Sequence, residues 1–323
     1  MTNLQILTEK VLNGEPITRT EALGLCGEPL DELCESADKI RRHFCSDRFD
    51  ICTIINGKSG RCSENCKFCA QSARYCTGAE EYPLLDGDKI VAQAKQNYEQ
   101  GILRYSIVTS GKRLTDAEIE KMCGVIRRIK TEVGISVCVS FGLLNREQYL
   151  KLKDAGVTRV HNNLETSRRY FPKVCTTHTF DDKLAAIRAA QSAGLTVCSG
   201  GIMGLGETSE DRIDMALTLR ELGIKSVPLN MLNPIAGTPF ENNQRLTSDD
   251  MRRIAAVYRF ILPDADIRLA GGRGLIPDKG RACFLSGANA AISGDMLTTS
   301  GITVETDMKL IAELGYEVKI DNE

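Results

Sequence analysis

The 323-residue chain is predicted to be an α/β protein, a (β/α)8 barrel of the TIM type with an N-terminal helical extension. From Ile51 onward, short β-branched runs alternate with amphipathic helical stretches in regular order, the pattern of a parallel sheet whose crossovers are helices. Eight strand candidates with seven intervening helices can be counted, the complement of a closed barrel. The rival is an open doubly wound sheet, but no G-x-G-x-x-G turn opens a helix after the first strand, so that fold would lack its usual phosphate loop.

Residues 1–45 read as a helical leader, with Leu30, Leu33, Cys34, Ala37 and Ile40 recurring at helical spacing, and residues 46–323 as the barrel with a helical C-terminal tail. Strands are expected at 51–56, 103–109, 135–141, 157–163, 195–201, 225–231, 266–270 and 290–293. Helices are expected near 88–100, 115–130, 145–155, 180–193, 208–222, 248–261 and 278–287. Thr179 with Asp182 forms a capping box for the fourth of these, and Gly194 can close it in a left-handed conformation. Gly156 and Gly223 follow other helices in the same way. The segment Gly200-Gly201-Ile202-Met203-Gly204-Leu205-Gly206-Glu207 reads as a flexible strand-end loop approaching a ligand closely. There is no internal repeat.

The formal net charge is -2 and charged residues make up 26% of the chain with both signs mixed, which gives no general polyanion surface, so nucleic acid is not an expected partner. No apolar run approaches the roughly 20 residues that cross a bilayer, and the polar start Met1-Thr2-Asn3 lacks the blocks of a secretory signal. A cytoplasmic protein with no membrane partner is expected. Thirteen cysteines, an odd number in a long chain, fit metal or cluster chemistry in a reducing compartment better than a disulfide framework. Trp is absent and aromatics are 5%, against an aromatic platform for sugars or single strands.

Cys62-Ser-Glu-Asn-Cys66-Lys-Phe-Cys69 follows the first strand at the carboxyl end, where barrel enzymes place their chemistry. Three thiolates can each bind one iron of a cubane, leaving the fourth iron open to a chelating substrate. A structural zinc site, with Cys76 as fourth ligand, is the competing reading, but zinc knuckles pair C-x2-C units and this loop does not. Deeper in the barrel, interior layers of four come from alternate strands. Cys52, Cys138, Cys198 and Arg268 fall on the first, third, fifth and seventh strands, so they can face one another in one layer. Cys123, on the helical face of Ile119, Ile126 and Ile129, reads as core, and Cys26, Cys175 and Cys283 fit no pattern.

The three-cysteine loop is that of radical S-adenosylmethionine (SAM) enzymes, and within them the chain resembles the biotin synthase family from about His43 to beyond Asn289. The segments that carry the resemblance are Asn56-Gly57-Lys58-Ser59-Gly60, Ala70-Gln71-Ser72, Asn163-Leu164-Glu165-Thr166-Ser167, Cys175-Thr176-Thr177-His178-Thr179, Val197-Cys198-Ser199-Gly200-Gly201 with Gly204-Leu205-Gly206-Glu207, Val227-Pro228-Leu229-Asn230-Met231-Leu232, and Arg268-Leu269. The resemblance implies conversion of dethiobiotin to biotin. A 4Fe–4S cluster on Cys62, Cys66 and Cys69 would cleave SAM to a 5′-deoxyadenosyl radical, and an auxiliary cluster would supply the sulfur.

It also carries Cys138, Cys198 and Arg268 onto the auxiliary-cluster positions, with Arg268 as a weak ligand or supporting contact. The family's second-strand cysteine is here Ser106. Cys52 is the replacement third thiolate and Cys45 its competitor. That departure resembles a variant branch, associated with anaerobes, whose larger auxiliary cluster holds extra sulfide. A 4Fe cluster of that kind is favoured, with 2Fe–2S as the alternative.

For SAM, the resemblance implies contacts from Asn163 and Glu165 to the ribose, from Phe68 and Ile202 to adenine, and from His178 to the carboxylate. For dethiobiotin it implies Asn230 and Lys58, together with His161 and Asn162, which stand in His161-Asn162-Asn163 where the family usually reads Asn-His-Asn. Reduced flavodoxin or ferredoxin is the implied electron donor and a homodimer the implied assembly. The rival functions are another radical SAM maturase or isomerase, and a non-catalytic iron–sulfur protein.

Overall fold

The computed structural model describes residues 2–320. The β-branched runs form strands β1 (Arg48–Lys58), β2 (Arg104–Thr109), β3 (Ser136–Ser140), β4 (Val157–His161), β5 (Thr196–Cys198), β6 (Gly201–Met203), β7 (Ser226–Met231), β8 (Asp266–Leu269), β9 (Ala290–Ser293) and β10 (Glu317–Val318). The order is β1-β2-β3-β4-β5-β7-β8-β9, and pairing of β9 back onto β1 closes an eight-position parallel barrel. Strand β10 adds in parallel to the start of β1. Each strand expected from the sequence is found.

The fifth is broken, however. Strand β5 pairs β7 at Cys198↔Ser226, and the ladder resumes only with β6 at Gly201↔Leu229. Carbonyls of Lys225 and Leu229 face β8 while that of Ser226 faces the fifth strand. Pro228 therefore also faces the fifth strand, and it has no N–H to offer there. A Cβ at Gly200 would sit 2.0 Å from Pro228 O. In the segment expected to be a flexible loop, Gly200 and Gly201 admit neighbouring backbone, and Gly201–Met203 is a strand.

The helices are α1 (Asn3–Leu12), α2 (Arg19–Leu25), α3 (Leu30–Cys45), α4 (Gly87–Glu99), α5 (Asp116–Glu132), α6 (Arg146–Asp154), α7 (Phe171–Val174), α8 (Phe180–Ser192), α9 (Ser209–Glu221), α10 (Ser248–Ile261), α11 (Arg281–Phe284) and α12 (Val304–Glu313). The Thr179/Asp182 box opens α8, and Gly194 follows it at φ 75. Thr115, Thr208 and Thr247 cap α5, α9 and α10 in the same way, each worth about 1 kcal/mol. The expected helix at 278–287 is reduced to α11, because Lys279 and Gly280 at φ 56 and 89 break its first turn.

The leader's apolar residues Leu4, Leu7, Leu33 and Ile40 belong to the same buried core as the barrel, where α3 packs on α10. Cys34 and Cys123 lie in that core, as expected. Among the described residues no helix is long and apolar enough to cross a membrane.

Candidate active site

The carboxyl ends of the strands surround a cavity of ≈ 360 Å³. Its mouth is built by the loop after β1. Gly60 and Arg61 take left-handed φ values of 73 and 50, turning the chain so that Cys62 N–H donates to Gln71 O (3.1 Å) and Ala73 N–H to Cys62 O (2.8 Å). Cys69 N–H closes a tight turn on Cys66 O at 3.0 Å. The loop is then clipped to the segment after α7. Asn65 Oδ1 accepts from the Thr176 and Thr177 amides (2.9 and 3.2 Å), and Lys67 N–H donates to Val174 O (3.0 Å).

Cys69 lines the cavity. Burial pushes its thiol up to about 11, while the backbone N–H groups of Gln71 and Ser72 pull the other way. Three thiols on one short loop, fixed by its own backbone hydrogen bonds, fit an iron–sulfur cluster.

Beside the loop, Phe68 and Ile202 pack on Val174, Leu205 and Leu232 to make an apolar wall. Across from it stand Asn163 and Glu165. Asn163 Oδ1 accepts from Gly200 N–H at 3.0 Å and its Nδ2 faces Glu165 Oε2 at 3.4 Å. Glu165 has φ 69, an unusual conformation for a residue with a side chain. Hydrogen bonds from Glu165 N–H to Gly200 O (3.1 Å) and from Ile202 N–H to Glu165 O (2.9 Å) hold it there. Asn230 Nδ2 donates to Gly201 O (3.1 Å) and its Oδ1 accepts from Gly271 N–H (2.9 Å). One N–H and one lone pair of that amide remain for a ligand. His161 and Asn162 also line the wall.

The floor carries Cys52, Cys138, Cys198 and Arg268, the four residues expected in one layer, all on the same cavity. Arg268 Nη1 donates to Cys52 Sγ at 3.3 Å and to Asp50 O and Ala291 O at 2.9 and 2.8 Å. Its Nη2 lies 3.1 Å from the buried Asp50 carboxylate, so the guanidinium pairs with a carboxylate and touches sulfur as well. Burial pushes the Cys52 thiol up, and the Cys138 thiol to about 12. For Cys198 burial acts the same way, but the adjacent His161, with Arg268 and Arg159, brings the thiol down to about 7. Ser226 Oγ also faces Cys198 Sγ at 3.3 Å. Three thiols converging on one cavity, with hydroxyl and guanidinium donors at their sulfurs, are chemically suited to a second cluster.

Three expectations fare differently. Cys45 ends α3 with its sulfur 3.4 Å from Arg259 Nη1 and lies outside the cavity wall, whereas Cys52 is on it. Lys58 is absent from the wall because Glu118 holds its ammonium at 2.7 Å. His178 faces Glu64 Oε2 (2.6 Å) and Cys175 Sγ (3.3 Å), not the cavity.

Sequence reasoning missed Arg104, Arg159, Lys183 and the loop Met296–Thr299, all on the cavity. Strand alternation would have found the first two, since Arg104 shares the inward face of Ser106 and Arg159 that of His161. The loop follows the last strand, where a barrel's strand-end rule points. Lys183, on α8, donates to Asn162 Oδ1 at 3.3 Å, and only the tertiary fold brings it there.

A closed parallel barrel with a three-cysteine loop at its mouth is the architecture of a radical SAM enzyme, and residues 58–219 match the radical SAM superfamily. Residues 228–317 match the biotin and thiamin synthesis associated domain. The biotin synthase of Brachyspira hyodysenteriae is 61% identical over 318 residues, covering 98% of this chain and 96% of that one. The biotin synthase of Akkermansia muciniphila is 58% identical, covering 97% and 98%, and biotin synthase 2 of Corynebacterium diphtheriae 56%, covering 100% and 98%. The chain belongs to the biotin synthase family. Among solved structures, methylornithine synthase shares the fold with a TM-score of 0.84 at 20% identity, over 97% of both chains. The FeFe-hydrogenase maturase HydG from Carboxydothermus hydrogenoformans does so with 0.81 at 17%, over 97% of this chain and 78% of that one.

Proposed function

We propose that this chain converts dethiobiotin to biotin with two iron–sulfur clusters, one on Cys62, Cys66 and Cys69 and one on Cys52, Cys138 and Cys198. The observation that carries this reading is the single cavity bounded by Cys69 at its mouth and by the three deep cysteines at its floor. A substrate in that cavity has a radical source on one side and a sulfur source on the other. When bound, the first cluster with SAM supplies a 5′-deoxyadenosyl radical that removes hydrogen from unactivated carbon, and the auxiliary cluster supplies sulfur.

The protein's own groups bind and orient. Glu165 accepts ribose hydroxyls and Asn163 offers both a donor and an acceptor, while Phe68 and Ile202 form the apolar face for adenine. Asn230 meets the ureido ring with its remaining N–H and lone pair, and His161 and Asn162 complete that side. Because Ser106 stands opposite Cys138 on the cavity and offers no thiolate, while Cys52 shares the cavity, we favour the variant branch with a 4Fe auxiliary cluster and extra sulfide over 2Fe–2S. Arg268 supports that cluster through its donor to Cys52. Lys183, which lines the cavity where His178 and Lys58 do not, is the lysine that meets a ligand carboxylate.

By resemblance we further propose reduced flavodoxin or ferredoxin as electron donor, a homodimer, a leader of residues 1–45 on a barrel of 46–323, and a cytoplasmic location suited to thirteen cysteines. The test is an anaerobic assay of reconstituted protein with SAM, reductant and dethiobiotin. Both 5′-deoxyadenosine and biotin are expected, and absence of 5′-deoxyadenosine sinks the reading.

A further inference from the structure

Strand pairing sets an arginine beside two of the three floor cysteines. Arg104 on β2 is in register with Cys52 on β1, and Arg159 on β4 with Cys138 on β3. Both line the cavity together with Arg268, and all three are buried. They converge on the single carboxylate of Asp50, whose oxygens lie 3.1 Å from Arg159 Nη1, 3.5 Å from Arg104 Nη2 and 3.1 Å from Arg268 Nη2. The neighbouring acid, Asp266, is taken by Arg48 at 2.9 Å and by the Asn289 amide at 3.1 Å. Among the described residues that line the cavity the one carboxylate is Glu165, beyond the carboxyl end of β4, and Lys183 on the same wall offsets it.

A guanidinium stays protonated in a protein, so three of them around Asp50 leave the floor with two positive charges in excess. Buried charge without a counter-charge is strongly unfavourable. The floor is therefore built for an anion, and neutral thiols do not supply one. Three thiolates on a doubly positive iron–sulfur core, of four irons or of two, bring one net negative charge. One positive charge remains, and one further monovalent anion balances it.

Resting on the reading that Cys52, Cys138 and Cys198 hold the auxiliary cluster, we propose that Arg159 and Arg104 are positioning residues that hold that cluster's extra sulfide at the cavity floor as a hydrosulfide anion. Guanidinium is a weakly hydrated cation with planar donors, suited to a large, soft anion in a buried site. Arg268, fixed by its donors to Cys52 Sγ, Asp50 O and Ala291 O, completes the charge. The same excess charge draws hydrosulfide back to the floor after one has been consumed.

The test reads sulfur directly in anaerobically reconstituted holoprotein. Acid-labile sulfide is compared with iron, and radiolabelled hydrosulfide is titrated in, with the label retained after gel filtration counted. The parent is expected to hold about one sulfide more than iron per chain and to retain label saturably. Arg159→Met should lose the extra sulfide at full iron content and raise the half-saturating sulfide concentration about 10-fold or more, as loss of a charge-assisted contact does. Arg104→Met should move both in the same direction, and Arg159→Lys, which keeps the charge, should recover most of the loss. Arg41→Met breaks another buried ion pair, to Asp38 at 2.8 Å on α3 and off the cavity wall, and should change neither quantity, which separates charge at the floor from a general loss of stability. Parental sulfide and half-saturation in Arg159→Met and Arg104→Met overturn the proposal. If the methionine proteins take up too little iron, Arg159→Gln and Arg159→Lys decide: the glutamine protein must lose the extra sulfide and the lysine protein keep it, and equal sulfide in the two overturns the proposal. A parent with iron for one cluster only removes the two-cluster function and this inference with it, whereas a parent with both clusters and sulfide equal to iron removes this inference and leaves that function standing.

Discussion

Replacing Gly201 by alanine tests whether the backbone behind Glu165 sets SAM binding. A Cβ at Gly201 would stand 2.4 Å from Glu165 O and 2.5 Å from Met215 Sδ, where ordinary contact begins at 3.4 Å. The methionine can swing aside, but the carbonyl must retreat by about 1 Å, the difference between 3.4 and 2.4. It cannot do so freely, because Glu165 O accepts from Ile202 N–H at 2.9 Å and Glu165 N–H donates to Gly200 O at 3.1 Å. Overpacking of this kind costs about 1–3 kcal/mol, and a misplacement near 1 Å loses up to ~10²-fold in rate.

The expected result is a urea midpoint lowered by the equivalent of about 2 kcal/mol, with 5′-deoxyadenosine formation per SAM bound falling by one to two orders of magnitude. Gly124→Ala is the control. It lies inside α5 with nothing within 4 Å of a built Cβ, so it should be neutral or stabilise by about 0.5–1 kcal/mol. A Gly201→Ala protein with the parent's midpoint and SAM-cleavage rate would refute the reasoning, since the backbone would then have yielded at no cost to Glu165.

Cys52→Ser should lower iron and sulfide to the content of one cluster and abolish biotin formation while SAM cleavage persists, and Cys45→Ser should leave both intact, as anaerobic metal analysis would show. Lys183→Met removes a cavity ammonium and should raise KM about 10-fold or more for the ligand whose carboxylate it meets, with kcat little changed; separate KM values for SAM and dethiobiotin identify which. Arg268→Met removes one of three buried arginines around Asp50, leaving Arg159 at 3.1 Å and Arg104 at 3.5 Å, and should cost about 1–3 kcal/mol in denaturant unfolding. For Asp211, burial acts to raise the carboxyl pKa, but Ser167, the Thr208 amide and Arg169 hold it below the ordinary range. A depressed pKa contributes stability above the unfolded value near 3.9 that is lost as pH falls through the folded one. Asp211→Asn should therefore cost about 1–2 kcal/mol at pH 7, and its unfolding curve should converge with the parent's below about pH 4.

The barrel was legible because period-two runs and capping boxes are local signals. Thr179 with Asp182 is read from four consecutive residues, and the structure uses that box to start α8. That Cys52, Cys138, Cys198 and Arg268 point inward was legible for a related reason, since strand alternation aims all four at the cavity they line. What escaped depends on contacts between segments distant in sequence. The break in the fifth strand arises from Pro228, about thirty residues downstream of it in the chain, through a donor that proline lacks. His178 turns to Glu64 and Cys175 although it stands among residues whose resemblance points to SAM, because the loop that supplies Glu64 folds back across it. Lys58 ends β1 close to the cysteine loop, yet Glu118 in the first turn of α5 holds its ammonium at 2.7 Å.

The two halves of the cavity also differ in how they are made, and the difference bears on the chemistry. The floor thiols sit within paired strands of the closed barrel, so their spacing is set by backbone ladders to either side. The mouth is a loop fixed by hydrogen bonds to the end of α7, through Lys67, and to the segment after it, through Asn65. A radical that must reach one carbon needs its source and its target held to within a fraction of an ångström. A rigid floor alone does not provide that, because the mouth would drift relative to it. The clip to Thr176 and Thr177 removes this freedom, since those residues stand between α7 and α8 and are themselves anchored to the barrel through α8, which packs on β5. Loss of the Asn65 side chain would therefore loosen the geometry between the two sulfur sites while leaving the cysteines of each in place.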